Sequence, residues 1–197
     1  MPMPINSLLE PALISVAYML GSIPTALLVC HSMGIADPRQ QGSGNPGTSN
    51  VLRIGNRIAA GLTLTGDLGK GVLAIWLAQL ANLTPGVTGL CALAVVLGHL
   101  FPMLGAFRGG KGVATTLGCT LILSWPVFIL QVLTWLAIVT LTRTASIASL
   151  CMALVTLPGI YLMAPELLSP MALIALLLIA RHSPNIRNLI SGKERRF

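Results

Sequence analysis

The sequence predicts an all-α polytopic membrane protein with about seven transmembrane helices, N-terminus outside and C-terminus cytoplasmic. Hydrophobic residues fill 54% of the 197 positions and charged residues only 9%, against roughly 25% charged in a soluble domain. Mean hydropathy is correspondingly high, at +0.84. The apolar residues gather into runs of spanning length, and the basic residues gather between alternate runs. If the loop before residue 58 is cytoplasmic, then Arg39, Arg53, Arg57, Arg108, Lys111, Arg143, Arg181, Arg187, Lys193, Arg195 and Arg196 all fall on that side. Only Lys70 lies within a run, while the acids Glu10 and Glu166 fall on the opposite side, the pattern of the positive-inside rule. The net charge of +7 therefore reads as topology, and no aromatic-rich basic surface points to nucleic acid.

The first run, about Pro11 to Met33, is long enough at ~1.5 Å per residue to cross a ~30 Å hydrocarbon core. No lysine or arginine precedes it, so it is expected to stay as a helix and not to be cleaved as a signal peptide. Gly21-Ser22-Ile23-Pro24-Thr25 interrupts it. Such a break survives in a span where neighbouring protein satisfies the freed backbone, so the kink is expected to face protein, with Ser22 and Thr25 lining either a cavity or a helix contact.

Next comes a polar island, Gly42-Ser43-Gly44-Asn45-Pro46-Gly47-Thr48-Ser49-Asn50, followed by Val51-Leu52-Arg53. Its composition disfavours a helix and offers no apolar face, so a loop is expected throughout. Glycines and short polar side chains let backbone N–H groups turn toward an anion, with the planar Arg53 guanidinium beside them: a phosphate cradle.

The second run, about Ile58 to Leu80, holds Asp67 and Lys70 three residues apart on one helical face, where they can pair. Two readings stay open for them, a functional site within the membrane or an ion pair that fixes the rotation of the helix. A third run, about Val87 to Leu104, leads to a second glycine-rich basic loop, Gly105-Ala106-Phe107-Arg108-Gly109-Gly110-Lys111-Gly112. The fourth, Val113 to Trp125, gives only ~20 Å of helix before Pro126, so it is short or starts deep. Runs five (about Val127 to Leu141), six (to about Ala164, after the turn Thr142 to Ser149) and seven (about Leu167 to Ala180) complete the set. The tail from Arg181 to Ile190 reads as a short interfacial helix with Ser183 as N-cap, Pro184 at the first helical position, and Ile186, Leu189 and Ile190 as its apolar side. The chain is read as a single membrane-embedded domain, residues 1–197.

Several chemistries are excluded. Gly42, Gly44 and Gly47 satisfy GxGxxG, but no βαβ unit surrounds them. Gly105, Gly110 and Lys111 approximate a P-loop, yet position 112 is glycine and lacks the hydroxyl that would hold Mg²⁺. Cys30, Cys91, Cys119 and Cys151 stand singly in apolar stretches, as packing residues. The acids form no cluster for a divalent metal, so chemistry without metal or cofactor is expected.

Three stretches in order carry a resemblance: Ser43 to Arg53; Gly98-His99-Leu100-Phe101-Pro102 leading to Gly109-Gly110-Lys111-Gly112-Val113-Ala114-Thr115; and Arg181-His182-Ser183-Pro184-Asn185-Ile186. They resemble the signature regions of the bacterial PlsY family, membrane acyl-phosphate:glycerol-3-phosphate acyltransferases. The resemblance implies seven helices in the bacterial cytoplasmic (inner) membrane, with the active site facing the cytoplasm. It implies as partners acyl phosphate, glycerol 3-phosphate and membrane lipid, with lysophosphatidate as product. The HxxxxD motif of other glycerolipid acyltransferases is missing after His31, His99 and His182.

By the same resemblance Ser43, Arg53 and Lys111 match phosphate-binding positions, and His182 and Asn185 match positions near the glycerol. Asn45, Gly47 and Ser49 complete the first loop, with Ser49 where many members carry Thr. Ser146 and Ser149 fit a serine-rich turn, Ser149 being the expected ligand, and Thr144 stands where the family has an aromatic residue. Acyl phosphate is already activated, so the protein has to hold two like-charged phosphates and admit one hydroxyl to the carbonyl carbon. No Ser/His/Asp relay is evident, which favours direct attack without an acyl-enzyme. The proton goes either to the donor's phosphate or to His182, whose ordinary pKa near ~6.5 suits a base. The rival reading, a transporter of small phosphorylated anions, calls for midplane polar sites and internal repeats, neither of which the pattern offers.

Overall fold

The computed structural model describes residues 5–105 and 107–196. The two ends of the expected 1–197 domain, and Ala106 of the second loop, lie outside the described residues. Among the described residues all regular structure is helical. The chain divides into two compact units, one ending at Cys119 and the other beginning at Thr120.

The first unit opens with α1 (Ile5–Gly21) and α2 (Thr25–Ser32), separated by the predicted break. Pro24 has no N–H to continue the ladder, and Ser22, fully buried, donates its N–H to the Tyr18 and Met19 carbonyls. After the polar island come α3 (Thr48–Ile54), α4 (Arg57–Leu80), α5 (Pro85–Leu100) and a 3₁₀ turn, Met103–Gly105. α1 packs on α5 through Gly21 and Gly98, where a side chain on either would overlap the other helix's backbone. Asn56 caps α4 by accepting the Ala59 N–H at 2.9 Å, and Thr84 caps α5 with Pro85 at its first position.

Two expectations are corrected here. The polar island is not loop throughout: Thr48, Ser49 and Asn50 form the first turn of α3, with extended Gly47 preceding them and its carbonyl accepting the Asn50 and Val51 N–H groups. Polar residues that disfavour a helix interior are suited to a first turn, where their side chains bond back to the loop. The third run stops at Leu100, since Pro102 follows, and not at Leu104.

α6 (Val113–Leu123) carries the chain into the second unit, which continues as α7 (Trp125–Thr142), α8 (Ala145–Met163), a 3₁₀ turn Pro165–Leu167, α9 (Leu168–Arg181) and α10 (Ser183–Ile190). Trp125 belongs to α7, not to the fourth run, because extended Ser124 ends one helix and Pro126 fits the first turn of the next. Likewise His182 precedes α10, so Ser183 is its first residue and not its cap. Ile186 and Leu189 are half-buried, while Ile190 is exposed.

Among the described residues four helical stretches are long and apolar enough to cross a membrane: Leu8–Ser32, Arg57–Leu80, Trp125–Thr142 and Ala145–Met163. Pro165–Arg181 with Ser183–Ile190, bent by 51°, makes a fifth where the pair is taken as one span, and Pro85–Leu100 and Val113–Leu123 are shorter apolar helices.

The second unit is joined internally by a chain of buried polar side chains. Fully buried Gln131 on α7 accepts the Thr120 hydroxyl at 2.6 Å and donates to Thr156 Oγ1 at 2.7 Å, and Thr156 donates in turn to the Met152 carbonyl. In lipid such interhelical bonds average ~0.6 kcal/mol, with a maximum near ~1.7. Gln131→Leu is therefore expected to lower the unfolding free energy in detergent by about 0.5 to 2 kcal/mol. Leu136→Ala, at a lipid-type position 49% exposed, should change the melting temperature less, and thermal unfolding of both variants checks the contrast.

Candidate active site

In the first unit the polar island is organised by one side chain. Asn50, 2% exposed, accepts the Ser43 N–H at 2.7 Å and donates to the carbonyls of Pro38 at 2.8 Å and Gln41 at 3.0 Å. Three stretches of the loop are thereby tied to the first turn of α3. Gly42 sits against the same carboxamide with φ +61°, a left-handed conformation that excludes a side chain twice over, by strain and by collision with Asn50 Oδ1. Ahead of the loop, Arg39 meets Asp37 with Nη2–Oδ2 at 2.8 Å and its own N–H on Oδ1 at 2.9 Å. Hydrogen bonding from the Arg39 side chain holds the Asp37 carboxyl below its ordinary range. The stabilisation is thus fully present above ~3.9 and is lost as pH falls through the depressed value.

Of the predicted ligands in this unit, Ser43 and Arg53 are exposed, Asn45, Gly47, Ser49 and Lys111 are half-buried, and Arg53 stands in the last turn of α3. The Asn45 carbonyl accepts the Gly47 N–H at 2.9 Å, closing the tip of the loop. The two glycine-rich loops meet at one cleft, bordered by Pro46 from the first and Arg108, Gly109 and Gly110 from the second. Thr25 lines the same cleft from the α1–α2 break, but Ser22 does not.

The floor of the cleft is charged. Asp67 Oδ1 lies 3.0 Å from Lys70 Nζ and 3.4 Å from His99 Nδ1, all three side chains at most 7% exposed. Lys70 Nζ also donates to the Ile23 carbonyl at 3.3 Å, in the break between α1 and α2. The Asp67–Lys70 pair expected from spacing is therefore formed, at mid-helix and against the cleft. His99, which the residue pattern alone did not single out, is its third member.

In the second unit Ser146 Oγ and Asn185 Nδ2 both donate to Glu194 Oε1, each at 2.7 Å. Two predicted ligands are thus brought to one carboxylate that carried no expected role. Ser149, the expected ligand of the serine turn, accepts from Trp135 Nε1 at 3.1 Å and donates to the Ala145 carbonyl at 2.9 Å. Its hydroxyl thus joins Trp135 of α7 to the first turn of α8. His182, 2% exposed, has Nδ1 2.8 Å from the Leu178 carbonyl, a contact that makes Nδ1 the protonated nitrogen and Nε2 the acceptor of the neutral ring.

These features define a helical membrane protein in which two glycine-rich, basic loops border one cleft. The family model for glycerol-3-phosphate acyltransferase matches residues 11–192. Glycerol-3-phosphate acyltransferase of Laribacter hongkongensis is 48% identical over 186 residues, covering 92% of each chain. The crystal structure of PlsY (YgiH), an integral membrane glycerol 3-phosphate acyltransferase, in its glycerol 3-phosphate form is similar with a TM-score of 0.90 at 33% identity, covering 95% of each chain. The lysophosphatidic acid form gives 0.88 at 32%, with the same coverage. This chain belongs to the glycerol-3-phosphate acyltransferase family.

Asn50 was visible in the sequence only as part of the island, and Glu194 only as an isolated tail acid; neither bears a local signal of its partners. Asn50→Ala orphans two carbonyls and one N–H, and is expected to destabilise the loop by about 1 to 3 kcal/mol. Faster proteolysis between residues 38 and 50, together with a roughly tenfold or greater loss of acyltransferase kcat/KM, is the outcome expected from limited digestion and kinetics.

Proposed function

We propose that this chain transfers a fatty acyl group from acyl phosphate to the 1-hydroxyl of glycerol 3-phosphate, giving lysophosphatidate and inorganic phosphate. The observation that carries the reading is the near full-length likeness to structures in glycerol 3-phosphate and lysophosphatidic acid forms, a substrate and a product of one acylation. Acyl phosphate as the donor is supported by the resemblance of the three signature stretches and by two anion-suited loops bordering one cleft.

In this reading Ser43, Asn45, Gly47 and Ser49 surround a phosphate, and Arg53 and Lys111 supply the cations that let two anions approach. Asn185 and the serine turn recognise glycerol 3-phosphate by hydrogen bonding, with Ser149 as the ligand or Ser146 one turn before it. The glycerol hydroxyl oxygen attacks the acyl carbonyl carbon, and the bond from that carbon to the phosphate oxygen breaks. The hydroxyl proton passes to the departing phosphate or to Nε2 of His182. No metal or cofactor is invoked, since the five acids of the chain are dispersed.

The two units are read as one acyltransferase domain, because the family match runs through both. Counting the two shorter apolar helices and the bent pair as spans gives seven, with the N-terminus outside and the active site at the cytoplasmic face of the inner membrane.

Purified protein is expected to form lysophosphatidate from acyl phosphate with excess EDTA present, and to leave acyl-CoA unused; a chelation-sensitive reaction restored by one divalent ion overturns the metal-free reading. Arg53→Lys keeps the charge but loses the planar fork, at a cost of roughly 1 to 3 kcal/mol, or about five- to 150-fold in kcat/KM. Lys111→Ala should lose more. Glycerol 3-phosphate dependence of turnover checks both variants, and wild-type kinetics in folded protein removes the cradle.

A further inference from the structure

We propose that His99, locked by the buried Asp67–Lys70 pair, is the positioning residue that sets the path of the Gly109–Gly110 backbone and so the place of Lys111. The inference rests on Lys111 acting as a phosphate ligand. It gives a role to two intramembrane charges whose purpose the sequence left open.

The imidazole is fixed at both edges. Nδ1 faces Asp67 Oδ1 at 3.4 Å, and that carboxylate is itself held by Lys70 at 3.0 Å, so the ring has a buried, charged anchor. The other edge is a wall for the second loop: a Cβ on Gly110 would strike Nε2, Cε1 and Cδ2 of His99. The loop also bonds to the backbone of the same residue, with Gly110 N–H donating to the His99 carbonyl at 3.2 Å. A Cβ on Gly109 would strike the carbonyl oxygens of His99 and Leu100. Both glycines therefore lie flat on His99, and Lys111 is the next residue along.

His99 is a positioning residue and not a base, because one edge of its ring lies on Asp67 and the other on Gly110. Lys70 extends the same frame to the Ile23 carbonyl, so α4, the end of α5 and the α1–α2 break are tied at one point beneath the cleft. The alternative, that the cluster only fixes helix packing, makes a different kinetic forecast. A packing defect weakens the fold without regard to which ligand is missing, whereas a displaced loop costs nothing further once Lys111 is gone.

The test is a double-mutant cycle in steady-state kinetics on the full chain, with thermal unfolding in detergent alongside. His99→Ala is expected to lower kcat/KM about tenfold or more alone and on an Arg53→Lys background, but less than about threefold on a Lys111→Ala background. His99→Asn, whose amide nitrogen can donate to Asp67 as Nδ1–H does, should recover most of the loss. If His99→Ala does not fold, Gly110→Ala replaces it in the same cycle, since its methyl group pushes the loop off the intact ring. Losses that multiply equally on both backgrounds, or wild-type kinetics in folded His99→Ala, overturn the proposal. Wild-type kinetics in Lys111→Ala overturn the phosphate cradle and this inference together, whereas a crippled Lys111→Ala whose loss simply multiplies with that of His99→Ala overturns the inference alone.

Discussion

A carboxylate and an ammonium 3.0 Å apart, both nearly sealed from solvent in the middle of a membrane helix, are the constraint around which the first unit is arranged. Neither charge is tolerable alone in that setting; removing one partner of a buried pair typically costs about 3 to 5 kcal/mol. Their remaining hydrogen-bonding capacity has to be met locally, and it is met by His99 at the end of α5 and by the Ile23 carbonyl, which the Pro24 break leaves outside the helical ladder. One electrostatic requirement thus joins α4, α5 and the α1–α2 junction. Above that junction the polar island and the Gly109–Gly110 stretch border the same cleft.

The second unit meets the same problem with neutral groups. Gln131 bridges two threonine hydroxyls inside it, and Trp135 reaches Ser149. Near the end of the chain Glu194 gathers Ser146 and Asn185. A carboxylate between a hydroxyl and a carboxamide orders both donors.

The helices were legible in the sequence because hydrocarbon length and charge sidedness are one-dimensional properties, as Arg57–Leu80 and Trp125–Thr142 illustrate. The Asp67–Lys70 pair was legible because three-residue spacing places both on one face. What escaped was whatever depends on distant chain segments. Asn50 looked like one more loop residue, yet its side chain reaches back to Pro38 and turns the end of the island into a helix. His99 follows 29 residues after Lys70 in the numbering, and only folding brings it to Asp67. Ser146 and Ser149 differ by about one turn, and no pattern could say which hydroxyl Trp135 occupies. The chemistry itself was legible through three ordered motifs and not through any one residue.

Oxygen labelling distinguishes direct transfer of the acyl group from phosphate to the glycerol oxygen from other routes. With ¹⁸O in the bridging position of acyl phosphate, the label is expected in the released inorganic phosphate and absent from the lysophosphatidate ester. With ¹⁸O in the 1-hydroxyl of glycerol 3-phosphate, it is expected to remain in that ester, and no acylated protein should accumulate in a single turnover. Loss of the glycerol label, or a labelled acyl chain attached to the protein, would contradict the account.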